Sequence, residues 1–541
     1  MSLSAGSTRR GPALVLGLLA LALLAERAHA FLSAPPTELD DAYVFLRYAD
    51  HLRQEGAPTW NRGGPPVWGA TSLAQVLVTA ALRALAPSLA DGRLLTLASA
   101  LAALALFPAL AAVCARAAPI SGRRRLDLPL WLGALLLAIG YSDALTFHAK
   151  SGMDTMLAAL AVAAALLPVH ALVSRPSAGR AGVVALLGVA ALAVRPDLPP
   201  LILGPAALGL LLGPRTAAGR HARSTLLGAT LVLGAIAFSC ANVYFGAPLP
   251  LATWVKRHGH DLAFAGEWFW NPFRFLWVIA RAALVPLVAL ALLVRRQDLP
   301  AVLPLVLPVA LTWAALASFN QVMGHLGRFY APALPLVLLS GAVVASRRLD
   351  AWRRPGPGRL AAGCAALAAA GLALLFAADR YDARRSPDPP DPRAPLVASP
   401  LPEVDDWRAM TALANALAGA PPGTTLALTE HGVIGARAPH VALLDLSGLH
   451  DRAVARQGID ADAVLARAPD AIYLPHPDYH GLLAALLAHP QLRRDYDLYP
   501  DAFGFGLALR RDSPRAAALR ARVAPAFQAL YGAPLDAHAA R

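Results

Sequence analysis

The chain has 541 residues, of which 57% are hydrophobic and 15% charged, and its formal net charge is +14. Soluble globular proteins carry about 25% charged residues, so this composition excludes an ordinary soluble enzyme and indicates several membrane helices. The positive charge is also typical of nucleic-acid-binding proteins. Here the arginines lie in short loops between apolar segments, where they set topology, and we expect no nucleic acid partner. The three cysteines are far apart, each inside an apolar run, which argues against a disulfide framework or a zinc site.

The first apolar run follows Arg9 and Arg10 and ends near an Ala-His-Ala sequence that resembles a signal-peptidase site. Glu26 and Arg27, just before that sequence, are unusual for a cleaved signal. We therefore expect a retained first helix, with cleavage as the alternative.

The hydrophobic pattern predicts a helical polytopic membrane protein with about eleven transmembrane helices. We expect them at 11–30, 93–117, 128–147, 154–174, 181–194, 198–213, 223–244, 274–294, 299–318, 331–346 and 359–378. The arginine clusters then fall on one side, provided that the segment 72–87 is an interfacial helix. The positive-inside rule places the N-terminus in the cytoplasm, and an odd number of helices places the C-terminus outside.

Polar, aromatic and histidine-bearing segments lie on the predicted outer side, whereas the predicted inner loops contain mainly arginine, glycine and proline. A site needs polar groups that converge from several loops, so this asymmetry indicates where function lies. Both lysines of the chain, Lys150 and Lys256, are on this side. An ammonium can hold a phosphate as a point charge, although two lysines can also fall there by chance.

Asp40 and Asp41 follow the first predicted helix and begin a segment that predicts a short amphipathic helix. Its apolar face comprises Ala42, Phe45, Leu46, Ala49 and Leu52, with Arg47 off that face. Carboxylates at a membrane surface are costly unless they have a function. The alternative is an N-cap, better placed at Asp41 if the helix begins near Ala42. One Asp suffices for a cap, so the pair favours catalysis.

Residues 379–403 are rich in Pro, Asp and Arg, which predicts a linker. Residues 404–541 then predict a soluble α/β domain. Three strands are expected in TTLAL, HVALLDL and PDAIYL, with a short helix after the first strand and helical structure between the second and third. The Glu430-His431-Gly432 sequence could contribute polar site residues, but a turn after a buried strand is favoured.

Several short motifs occur in an order that resembles one family. They are DDAY (40–43), Asn-x-Gly (61–63), GATS (69–72), SGMDT (151–155), RPD (195–197), GRFYAPALP (327–335) and DLSGL (445–449). Together they resemble the bacterial GT-C superfamily of membrane glycosyltransferases, and most closely the AftB-type terminal arabinofuranosyltransferases. The resemblance covers nearly the whole chain. Trp68 and Leu251 depart from the family pattern, which leaves the sugar open.

The resemblance implies a GT-C-like transmembrane domain at 1–378 with an interfacial loop at 31–92, and an extracytoplasmic domain at 404–541. It implies a multi-pass protein of the bacterial cytoplasmic membrane. The implied activity is inverting transfer of a sugar, arabinofuranose in the closest relatives, from a polyprenyl-phosphate donor to a glycan or lipid acceptor at the outer face. No cofactor is assigned, and a divalent metal stays open.

The implied site residues fall into three groups. Asp40 or Asp41 is the expected general base, with Asp40 slightly favoured because Asp41 is better placed to cap the helix. The leaving group is a lipid phosphate that needs cations, for which the candidates are Lys256, Arg328, His325, Lys150 and Arg257. Candidate substrate-binding residues are Trp60, Asn61, Trp68, Asp154, Arg195 and Trp268. For the tryptophans, a place in the membrane headgroup belt is the alternative.

Two other classes stay open. One is a polytopic transporter, and the other is a non-catalytic protein of envelope assembly. Neither needs the acid pair Asp40-Asp41, so substitution of these residues discriminates between the classes.

Overall fold

The computed structural model describes residues 11–120, 124–258, 271–317, 325–352, 393 and 401–540. The chain divides into two compact units. Unit 1 comprises Met1–Pro35, Thr96–Ala237 and Phe269–Arg385. Unit 2 comprises Pro36–Leu95, Phe238–Trp268 and Ser386–Arg541. The unit that contains the C-terminal region therefore also contains two segments from the helical part of the sequence.

Apolar helices account for most of the chain before residue 353. Their bounds are α1 Gly11–Leu32, α2 Asp40–Glu55, α3 Leu73–Leu85, α4 Asp91–Ala117, α5 Arg124–Ile139, α6 Asp143–Lys150, α7 Thr155–Ser174, α8 Ala178–Ala190, α9 Pro199–Leu212, α10 Ala217–Phe245, α11 Leu251–His258, α12 Asn271–Ala282, α13 Leu284–Leu293, α14 Leu299–Ala317 and α15 Leu334–Trp352. Within the described residues, six helices are long and apolar enough to cross a membrane, or seven if one bent pair is a single span. These are the features of a multi-pass helical membrane protein.

The number of transmembrane helices stays a prediction, because several predicted segments have a different form in the structure. The single helix predicted at 128–147 is wrong: α5 ends at Ile139, and α6 leaves it at 96°. Ser142 caps α6 by accepting the N–H of Leu145 at 3.3 Å, which fixes the break. The segments α8 and α9 are short, 274–294 is divided between α12 and α13, and 359–378 lies outside the described residues.

Two of the predicted arginine clusters meet at one end of unit 1. Asp298 accepts hydrogen bonds from Arg348 and, at 3.3 Å, from Arg347, both near the end of α15. Its other bond comes from the backbone N–H of Arg295, at 2.9 Å. The loop before α14 and the end of α15 therefore lie together.

The C-terminal region forms a five-stranded mixed sheet with helices around it. The strands are β1 Thr425–Leu428, β2 Ala442–Asp445, β3 Ala471–Tyr473, β4 Tyr496–Tyr499 and β5 Leu507–Arg510, in the order β2-β1-β3-β5-β4. The helices are α16 Asp406–Leu417, α17 Gly432–Arg437, α18 Arg452–Gln457, α19 Ala461–Ala466, α20 His480–Ala488, α21 Pro490–Asp495 and α22 Ala516–Tyr531. The first three strands are parallel, and β3–β5 and β5–β4 are antiparallel. The three predicted strands and the helices after β1 and β2 are confirmed.

Helix α2 belongs to the same unit as this sheet and is more deeply buried than its pattern predicts. The predicted face is covered at Ala42, Phe45, Leu46 and Ala49, but Arg47 is also completely buried. The prediction that Arg47 lies off the buried face is therefore wrong. Helix α17 packs on α2, so protein covers the helix on more than one side.

Candidate functional site

The acid pair lies in the first turn of α2, and Asp40 is bonded to the C-terminal region. The helix begins at Asp40, after Leu39, so the premise that Asp41 caps a helix starting near Ala42 does not hold. The two carboxylate oxygens of Asp40 accept the backbone N–H groups of Gly432 at 2.8 Å and Val433 at 2.7 Å. Asp40 thus caps the N-terminus of α17, where a carboxylate also meets the positive end of the helix dipole.

A third carboxyl group, Glu430, lies close to this pair. It follows β1 and is 7% exposed. Burial, then the negative charges of Asp40 and Asp41, raise the pKa of Glu430 well above its usual value. Burial also raises the pKa of Asp40, and the two amide hydrogen bonds oppose that effect. The site therefore concentrates acidic groups that resist ionising together.

Asp445, at the end of β2, is held as a carboxylate. It accepts the N–H and the hydroxyl of Ser447 at 2.8 and 2.7 Å, and the N–H groups of Gly448, His450 and Asp451. Nε2 of His431 lies 2.8 Å from its Oδ1. Burial opposes ionisation of Asp445, but the nearby His431 and the backbone N–H of His450 hold its pKa below the usual range.

The rings of His450 and Trp60 pack against each other beside Asp445 and His431. Their rings stack at 3.7 Å with an interplanar angle of 12°, and the ring of His431 meets that of His450 edge-on at 4.9 Å. The hydroxyl of Tyr48 lies 3.1 Å from Nδ1 of His450. Burial, then the charge of His431, lower the pKa of His450 well below its usual value, so this imidazole is neutral at neutral pH.

Sheet topology explains why these groups meet. Because β1 and β2 are parallel neighbours, the residues after each strand emerge at the same edge. Glu430 and His431 follow β1, and Asp445 and His450 end or follow β2. The carboxyl edge of parallel strands is the usual position of ligand sites in α/β sheets. The sequence analysis favoured a plain turn at Glu430-His431-Gly432, although two parallel strands each followed by an acid and a histidine were a usable signal.

Arg47 and Asn61 bind the segment after α2 to the C-terminal region. Arg47 donates to the carbonyls of Trp60 (2.7 Å), Gly435 (2.8 Å) and Val441 (3.0 Å). The amide of Asn61 accepts the N–H of Leu443 and donates to its C=O, at 2.9 and 3.0 Å. Asn61 thus continues the ladder at the outer edge of β2.

The other candidates of unit 2 are placed as follows. Trp60 and Trp68 are 3% and 5% exposed, and Trp68 packs on Phe245 with ring centroids 5.4 Å apart. Both indoles are covered by protein in this structure. Lys256 and Arg257 lie on α11, with side chains outside the described part of the structure, and Trp268 lies outside the described residues.

The candidates of unit 1 form a group of their own. Arg195 makes two bonds of 2.9 Å to Asp197, lies 3.9 Å from Asp154, and donates to the carbonyl of Arg328 at 3.3 Å. The segments RPD, SGMDT and GRFY therefore converge, and the charge of Arg195 is already balanced by two carboxylates.

The other unit 1 candidates lie on the elements that adjoin this group. Nε2 of His148 lies 3.1 Å from the carbonyl oxygen of Leu326, the residue that follows His325. Lys150 is the last residue of α6 and is half-buried.

Among residues that the structure describes, no group of three or more His, Cys, Asp or Glu is arranged to hold a metal ion. No family model matches the chain, and no curated protein matches it in sequence.

Proposed function

We propose that the protein is an inverting membrane glycosyltransferase that moves a sugar from a polyprenyl-phosphate donor to a cell-envelope glycan or lipid acceptor. The observation that carries the proposal is the fixed acid pair at the start of α2. A transporter or an assembly scaffold has no evident use for two adjacent carboxylates, of which Asp40 is fixed by two backbone N–H groups.

The two hydrogen bonds of Asp40 lead us to assign the general base to Asp41 rather than to Asp40, which the sequence slightly favoured. Each oxygen of Asp40 already accepts a backbone N–H, which gives Asp40 a positioning role. In the proposed step, Asp41 takes the proton of the acceptor hydroxyl while that oxygen bonds to the anomeric carbon. The bond from that carbon to the phosphate breaks, and its electron pair leaves with the lipid phosphate. General-base catalysis of this kind contributes about a hundredfold to ten-thousandfold in rate.

The composition of unit 2 is consistent with a site outside the membrane. The loop before α4, the segment after α10 and the C-terminal region belong to one compact unit. A bilayer cannot divide a packed unit, which supports a common side of the membrane for these three segments. The arginine pattern places that side outside, where lipid-linked sugars of this class would be used.

The donor phosphate needs cations, and the two units offer different candidates. Arg328, His325 and Lys150 in unit 1 stay candidates from the sequence, and Arg195 is paired with Asp154 and Asp197. In unit 2, Lys256 and Arg257 on α11 stay candidates from the sequence. Asp154 serves in this proposal to hold Arg195 rather than to bind sugar.

The proposal is tested with the purified full-length protein and a panel of polyprenyl-phosphate sugars that includes the arabinofuranose donor. We expect acceptor-dependent transfer from at least one donor, with inversion at the anomeric carbon. Uptake of the same sugars into proteoliposomes, measured in parallel, tests the transporter alternative. Uptake without transfer from any donor would overturn the proposed function.

A further inference from the structure

Three helix ends meet around the buried carboxylate of Asp298 in unit 1. Asp298 is 1% exposed and accepts hydrogen bonds from Arg347 and Arg348, near the end of α15. Nε of Arg348 also donates to the carbonyl oxygen of Leu293, the last residue of α13, at 3.2 Å. Asp298 directly precedes Leu299, the first residue of α14. One carboxylate therefore holds two guanidinium groups at the junction of α13, α14 and α15.

This end of unit 1 carries more positive charge than its acids can balance. The segments 295–298 and 347–354 contain six arginines and two aspartates. Arg295, Arg296 and Arg347 are exposed, whereas Asp298 is buried and both of its oxygens already accept hydrogen bonds. In the proposed topology this end lies at the cytoplasmic surface of the membrane. A basic cluster at that level attracts the anionic lipids of the inner leaflet.

An apolar face of α14 begins beside these arginines. Leu299, Leu303, Leu307 and Leu311 are four residues apart, so they share one face of the helix, and they are 38–63% exposed. Exposed leucines alone would indicate only general contact with lipid, since lipid tails are as apolar as leucine. Here the row begins directly after Asp298, at the level of the exposed arginines. Positive charge followed by an apolar face matches the headgroup and acyl chains of an anionic phospholipid.

We propose that Arg295, Arg296 and Arg347 bind the headgroup of an anionic phospholipid of the inner leaflet, and that the leucine face of α14 contacts its acyl chains. Arginine suits the phosphate because its planar guanidinium can donate two parallel hydrogen bonds. Arg348 is outside the site, since its bonds to Asp298 and to the end of α13 keep the helix ends together. The inference does not depend on sugar transfer, so failure of the proposed function leaves it standing.

Lipid titration of the purified full-length protein in detergent tests the inference. We expect dioleoylphosphatidylglycerol to raise the melting temperature, because a ligand that binds the folded state stabilises it. Dioleoylphosphatidylcholine has the same acyl chains without net charge and should have a much smaller effect. Glycerol phosphate, a headgroup without acyl chains, should have none at the same concentration. An equal rise with both phospholipids would overturn the proposed charge recognition, and an equal rise with glycerol phosphate would overturn the lipid as the ligand.

Matched charge changes separate this site from a general attraction to positive loops. The test variant carries Arg295→Gln and Arg296→Gln, which leave the bonds of Arg347 and Arg348 to Asp298 in place. We expect it to need an about tenfold higher concentration of phosphatidylglycerol for the same rise in melting temperature. The control carries Arg215→Gln and Arg220→Gln, at exposed positions of another predicted inner loop, and should stay within about twofold of wild type. Equal losses in the two variants, or no loss in the test variant, would refute the site.

Discussion

At the scale of single residues, the buried Arg47 shows most directly how distant segments are joined. Its guanidinium donates hydrogen bonds to the backbone carbonyls of Trp60, Gly435 and Val441. It also lies 4.8 Å from the ring centre of Trp60. Burial lowers the pKa of Arg47 to about 9, so the group stays charged at neutral pH. A helical pattern shows only that position 47 is polar. It cannot show that Arg47 donates to the carbonyls of residues 435 and 441, which are distant in sequence.

Arg47→Lys should therefore destabilise the protein although it keeps the charge. An ammonium cannot replace the planar fork, and each buried carbonyl left without a donor costs about 1–3 kcal/mol. We expect a loss of about 2–4 kcal/mol, measured by chemical unfolding of the full-length protein in detergent with tryptophan fluorescence. Arg494→Lys is the control: this arginine is 71% exposed, and its change should cost under about 0.5 kcal/mol. Equal effects of the two changes would contradict the role of Arg47.

Glu430 predicts a pH dependence of stability. Its pKa is raised in the folded protein, so the folded state favours the protonated form. That contribution is complete below the usual value of 4.5 and is lost as pH rises through the folded pKa. Glu430→Gln imitates the protonated acid and should lessen the fall in melting temperature between pH 5 and pH 9. The difference corresponds to the ionisation of about one group. Parallel pH profiles for the variant and wild type would refute this role of Glu430.

At the scale of elements, the sequence predicted β1, β2, β3 and the helices after β1 and β2, because each is marked by a local apolar pattern and its turns. It did not predict β4 and β5, which complete the sheet. The cap of α17 could not be predicted in this way. Its acceptor, Asp40, is 392 residues away from Gly432, and no local pattern reports a contact of that separation. The bend after α5 was missed although Gly140 and Ser142 are a helix-ending residue and a new N-cap between two apolar segments.

Gly432→Ala tests the contact between α17 and α2. A Cβ at this position would collide with the backbone carbonyl of Asp40, which cannot move as a side-chain end can. We expect a loss of about 1–3 kcal/mol and faster proteolysis of the C-terminal region. Gly182→Ala serves as the control: Gly182 lies within α8, a Cβ there meets nothing within 4 Å, and the change should be neutral or slightly stabilising. If both variants are as stable as wild type, the close approach at Gly432 is wrong.

At the scale of the whole molecule, the composition was enough to predict a multi-pass helical protein. The proposed membrane topology depends on the arginine pattern and on which segments belong to unit 2. We expect single cysteines at Glu38 and Asp512, both exposed, to react with an impermeant maleimide added outside intact cells. A cysteine at exposed Arg180, in a predicted inner loop, should react only after permeabilisation. These variants are made in a chain without its natural cysteines. Labelling of positions 38 and 512 from opposite sides would contradict the topology.

The most direct test of the central claim is the sugar-transfer rate of Asp41→Asn in the full-length protein. Asparagine keeps the size of the side chain but removes the proton acceptor, so we expect a fall of about a hundredfold to ten-thousandfold with unchanged unfolding. Asp40→Asn should mainly lower stability, because the amide offers one oxygen where two backbone N–H groups are bonded. Wild-type transfer by Asp41→Asn would contradict the assignment of Asp41 as the base and the catalytic reading of the acid pair.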